Sequence, residues 1–106
     1  MPENLYTRLI QKLKGSVDRN DLIRCAEEHV DIFAAEAEFA AESGESVYTY
    51  MLFRNNMSKE SFEEYVAYFR RGVIRLGFPP EHITLIEHTT SHVKFSMRCI
   101  PPDLLQ

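Results

Sequence analysis

Apolar residues recur along this chain at two periods, and each predicts an element. Phe62, Tyr65, Val66, Phe69, Val73 and Leu76 follow at steps of three and four, which sets them on one face of a helix. Both ends of that helix are marked. Ser58 is an N-cap whose hydroxyl can accept from a free N–H of the first turn. Met57 and Phe62 fall at the N′ and N4 positions of a hydrophobic staple. Gly77 supplies a left-handed C′ residue, Phe78 folds back on the last turn, and Pro79-Pro80 forbids continuation.

The same period appears twice upstream. Leu5, Tyr6, Leu9, Ile10 and Leu13 predict a first helix that opens at Pro2 and Glu3 and closes at Gly15. A turn with two possible caps, Asp18 and Asn20, leads into a long helix over about Asp21 to Ser43, roughly 33 Å in length. Leu22, Ala26, His29, Val30, Phe33, Ala37 and Ala40 form its apolar side, widened by Ile23, Ile32 and Phe39. Gly44 ends it.

The second period is alternation. Residues 47–53, Val-Tyr-Thr-Tyr-Met-Leu-Phe, are dense in β-branched and aromatic side chains and predict a strand. Asn55-Asn56 turns the chain into the Ser58 helix. Ile83 to His88 predicts a second strand. Thr89-Thr90-Ser91 lacks glycine, so the hairpin loop should exceed two residues. Val93, Phe95, Met97 and Cys99 alternate with Lys94, Ser96, Arg98 and Ile100 in a third strand, which Pro101-Pro102 stops. The predicted order is α-α-β-α-β-β over one α+β domain, residues 1–106. It has two layers, with a three-stranded sheet covered on one face by helices. A right-handed β-α-β crossover would make that sheet mixed.

Composition changes this picture little. Apolar residues at 44% and charged residues at 26% are ordinary for a globular domain. No apolar run reaches the ~20 residues of a membrane span, and the N-terminus lacks the pattern of a signal peptide, so a cytoplasmic location is expected. Cys25 and Cys99 match no metal or redox spacing and are expected as buried thiols. Charge is divided unevenly. Residues 1–46 hold five basic and ten acidic side chains, a net −5, while residues 47–106 hold seven and six, a net +1.

No catalytic pattern is present. Neither cysteine adjoins a histidine, no serine sits in an elbow, and no glycine-rich loop could cradle phosphate. His88 and His92 flank the hairpin loop beside Glu87, the one place where a metal or small-enzyme site is conceivable. Zinc asks for three or four converging ligands, though, and Glu87 and His88 point to opposite faces of their strand. His29, at the edge of an apolar stripe, is expected as a half-buried, hydrogen-bonded imidazole. We therefore expect no cofactor, no metal and no enzyme.

Two surfaces remain. Glu27, Asp31, Glu38 and Glu42 recur at steps of four and seven, forming a row of negative charge that can imitate spaced phosphates and enter a basic groove on a protein or nucleoprotein partner. A solvated outer face is the simpler account of such a row. The second surface assumes that Val47, Thr49, Met51 and Phe53 face the helices. Tyr48, Tyr50, Leu52 and Arg54 then lie on the open sheet face with Lys94 and Arg98, a stacking and cationic platform for single-stranded nucleic acid. The opposite register would bury both tyrosines. In size, acid-rich helices and lack of a catalytic set, the chain resembles the small inhibitors of phages and mobile elements, anti-CRISPR proteins among them. That likeness lies in overall character, with no signature residue, and it implies binding to one component of an effector complex. Apolar residues beyond a single stripe on the long helix leave room for a dimer, and the sequence does not decide between monomer and dimer.

Overall fold

The computed structural model describes residues 4–7 and 19–99. Residues 5–7 are helical, with Asn4 Oδ1 accepting from the Thr7 N–H at 2.8 Å. The rest of the predicted first helix, and the stop at Pro101-Pro102, lie outside the described residues. Helix α1 is Arg19–Glu42, and it turns Leu22, Ala26, Val30 and Phe33 into the core. Gly44, at φ +89°, follows it in a conformation that a Cβ disfavours.

Helix α2, Lys59–Arg75, carries the expected caps. Ser58 Oγ accepts from the Ser61 N–H at 3.1 Å, and Gly77 adopts φ +110° beyond the last turn. Phe62, Tyr65, Phe69 and Val73 are buried, with Met57, Val66 and Phe78 packed at the core's margin. Leu76 departs from this face and stands 47% exposed, because the chain is already leaving the helix there.

The sheet comprises β1 (Val47–Phe53), β2 (Ile83–His88) and β3 (His92–Arg98), in the spatial order β1-β3-β2. Both neighbouring pairs are antiparallel, so the mixed sheet anticipated from the β-α-β order does not form. The β2–β3 hairpin inserts β3 between the two strands that the crossover joins. The hairpin loop is longer than two residues, as expected. Thr89 organises it, its Oγ1 accepting from the Ser91 and His92 N–H groups at 3.2 and 3.1 Å. Helices cover one face of the sheet, meeting Tyr48 and Leu52 of β1 and Val93, Phe95 and Met97 of β3. Strand β2 contributes only Ile83 to the buried set.

The register of β1 is the opposite of the one assumed for a nucleic-acid platform. Tyr48 and Leu52 are buried and Tyr50 packs against the core, while Val47 and Phe53 stand 48% and 54% exposed. Both faces of β1 are apolar, and in this pleat the Tyr50 ring stacks on Phe69 of α2. Each tyrosine also keeps its hydroxyl bonded at the rim. Tyr48 donates to the Glu45 carbonyl at 2.8 Å, and Tyr50 Oη lies 2.7 Å from His29 Nδ1. Both cysteines are free and exposed, against the expectation of burial. Cys25 lies on the outer side of α1, and Cys99 follows the end of β3, beyond the cover of the helices.

Candidate interaction surfaces

Glu27, Asp31, Glu38 and Glu42 all project from the exposed side of α1. Between Arg24 and the end of the helix there is no lysine or arginine. Among the described residues, the ion pairs of the helices are Arg24–Asp21 at 3.2 Å and Arg19–Glu64 at 3.6 Å, and neither involves this row. Arg24 stands one turn before Glu27, and from there the row runs over four turns, about 22 Å, with no further lysine or arginine on its own helix.

The second predicted set is divided by the fold. Tyr48 and Tyr50 face the helices, and the Tyr50 ring stacks on Phe69 at a centroid distance of 5.2 Å. Arg54 is tied to the loops, its Nε donating to the Met57 carbonyl at 2.8 Å and a terminal nitrogen to the Thr90 carbonyl at 3.3 Å. Lys94 and Arg98 do lie on the open face, opposite Met51 and Val47 across the ladder. That face thus presents Val47, Thr49, Met51 and Phe53 with two cations, and no tyrosine.

The histidines also separate. His92 Nε2 contacts Glu87 Oε2 at 2.9 Å, while His92 Nδ1 sits 3.2 Å from Thr89 Oγ1. His88 pairs with Val93 in the ladder and turns to the helix side, where it lines a depression of about 290 Å³ with Arg54, Lys59, Phe62 and Glu63. No group of three metal-capable side chains converges among the described residues. His29 is half-buried and bonded to Tyr50, as the sequence suggested.

Burial raises the phenol pKa of Tyr65, reinforced by the nearby Cys25, Tyr50 and Glu28. Burial likewise raises Tyr50, with Glu36 adding to it, and Tyr48, with Cys99 and Glu45 adding. A phenol whose pKa is higher folded than unfolded contributes stability in full below its ordinary value of about 10 and loses it as pH rises beyond. Alkaline titration should therefore unfold the domain above about pH 10, and Tyr65→Phe should move that transition to higher pH. Circular dichroism against pH measures both; an unmoved transition in the variant would remove Tyr65 as its cause.

Sequence reasoning did not find the outer edge of β1. Its signal, a strand free of charge and proline, is visible in residues 47–53, but only the strand order makes it an edge. No helix among the described residues is long and apolar enough to cross a membrane. No protein-family model, curated protein or solved structure matches the chain.

Proposed function

We propose that this is a non-enzymatic binding protein whose acidic α1 ridge docks into a basic groove of a nucleoprotein effector, an inhibitor of the anti-CRISPR kind. The observation that carries the reading is the row Glu27, Asp31, Glu38 and Glu42, exposed along one helix that holds no lysine or arginine beyond Arg24. A rigid helix fixes the spacing of its charges before binding, so little ordering entropy opposes docking. Electrostatic attraction would steer the encounter, and the bulk of the domain would exclude nucleic acid from the groove. Direct single-strand binding is the weaker reading, since Tyr48 and Tyr50 are turned to the core.

Purified CRISPR effector complexes, loaded with guide RNA and titrated with the protein, test this. At least one complex should lose binding of its target DNA, with weaker inhibition at high salt. Glu27→Lys with Glu38→Lys should reduce inhibitory potency by about tenfold or more, since each close charge pair at an interface couples by over ~1 kcal/mol. Undiminished inhibition by that variant would remove the ridge from the mechanism. Retardation of a single-stranded oligonucleotide by the protein alone would favour the sheet-face reading instead.

A further inference from the structure

Three basic side chains from three separate elements meet at the depression of about 290 Å³ beside His88. Arg54 follows β1, Lys59 opens α2, and His88 ends β2. Arg54 continues the parity of Tyr48, Tyr50 and Leu52, which turn to the helices. His88 reaches the same side only through an irregularity. Ile83 and Leu85 pair with Met97 and Phe95, both buried on the helix side, so unbroken alternation would send Glu87 there and His88 away. The register shift between Leu85 and Glu87 reverses this, and His88 pairs with buried Val93. Bulges of this kind re-aim a side chain, and they gather beside functional sites.

The guanidinium of Arg54 is held in place before any ligand arrives. Its Nε and one terminal nitrogen donate to the Met57 and Thr90 carbonyls at 2.8 and 3.3 Å. These bonds use two of its five N–H groups and fix the orientation of the rest. The Lys59 and His88 side chains have no ion pair or hydrogen bond among the described residues. Among those residues, Glu63 is the one carboxylate in the wall, and it lies beyond ion-pair distance of all three bases. Arg54 and Lys59 against Glu63 leave the lining at +1, or +2 when His88 is protonated. Phe62, itself buried, closes the floor toward the core.

We propose that this depression binds a phosphate dianion, free or on a small organic ester. A dianion matches the charge of the lining once His88 is counted, and the remaining N–H groups of Arg54 suit paired phosphate oxygens. Lys59 adds a point charge, and the first turn of α2 that carries it adds the positive end of the helix dipole. The three side chains carry the site; a helix start without them would not. Bringing these bases together in the folded chain costs repulsion, and an anion between them offsets it. The volume is at the small end of ligand sites, room for phosphate with a compact organic group and too little for a dinucleotide. A phosphodiester of a polymer, with a single charge at each phosphate, matches the lining less well. None of the lining residues belongs to α1, so the inference does not depend on the function proposed for the acidic row.

Nuclear magnetic resonance of the isotope-labelled protein, titrated with phenyl phosphate and with inorganic phosphate at fixed ionic strength, tests the site. Amide shifts should saturate and centre on Lys59, His88, Thr89 and Thr90, with the Arg54 Nε–H among them. Lys59→Gln should weaken binding about tenfold, the usual share of one charge-assisted hydrogen bond. Glu63→Gln should tighten it severalfold, an effect that a merely structural carboxylate would not give. Both residues are exposed, so the variants should fold. Glu42→Gln, on α1, should leave binding unchanged. Tighter binding of phenyl phosphate would assign the site to an organic ester, and equal binding of the two would assign it to inorganic phosphate. Equal affinity for phenyl sulfate, a monoanion of similar shape, would overturn the proposal. So would shifts that drift without saturating, or that gather on Arg70, Arg71 and Arg75 instead.

Discussion

Phe69→Ala is expected to cost about 3–5 kcal/mol, a large share of the ~5–15 kcal/mol that holds a domain of this size together. Phe69 is fully buried and sits where all the layers meet. Its ring stacks on Tyr50 of β1, lies 5.6 Å from Phe95 of β3 and 6.3 Å from Phe33 of α1. Truncation would open a cavity bounded by both helices and two strands, and rings pinned from several sides cannot collapse into it. Tyr50 would also lose the surface that orients it toward His29. Urea unfolding should show a large fall in midpoint, whereas Phe39→Ala, at a residue 74% exposed, should stay within about 0.5 kcal/mol under monomeric conditions. Similar costs for the two phenylalanines would mean that the core has been misplaced.

The second large effect runs against helix propensity. Alanine for glycine inside a helix ordinarily gains about 1 kcal/mol. At Gly72 it should instead destabilise, because a Cβ there would stand 2.5 Å from Val30 Cγ2 of the facing helix. Valine in a helix has essentially one rotamer and cannot swing aside, so α1 and α2 would have to separate. Overpacking costs about 1–3 kcal/mol, and subtracting the propensity gain leaves a net loss of up to about 2 kcal/mol. Val30→Ala should rescue Gly72→Ala, the double variant losing less than the sum of the two single changes. Denaturant curves for the three proteins complete the cycle. A stabilised Gly72→Ala protein would show that the helices do not approach so closely.

These two positions differ in how legible they were. Phe69 belongs to a run at helical spacing, and its burial follows from that spacing alone. Gly72 lies in the same helix and has no local explanation; its reason is Val30, more than forty residues earlier, and exists only once α1 crosses α2. The candidate surfaces divide in the same way. The acidic row depends on the periodicity of a single helix, so its exposure could be read directly. The tyrosine platform depended on which side of β1 the helices cover. Alternation in residues 47–53 is apolar on both sides, so the sequence carries no preference strong enough to choose.

Local chemistry determined the elements: Ser58 and Gly77 set the limits of α2, alternation marked β3, and the glycine-free Thr89–Ser91 loop gave a hairpin longer than a tight turn. Each rests on interactions within a few residues, which sequence spacing encodes. Tertiary structure alone decided the strand order, the pleat of β1, the exposure of both cysteines and the free edge beside Ile32 and Phe39. Those depend on which surfaces compete for the same helix face. That competition is settled by the packing of Tyr50 on Phe69 and by the pairing of its hydroxyl with His29, which come together only when distant segments do.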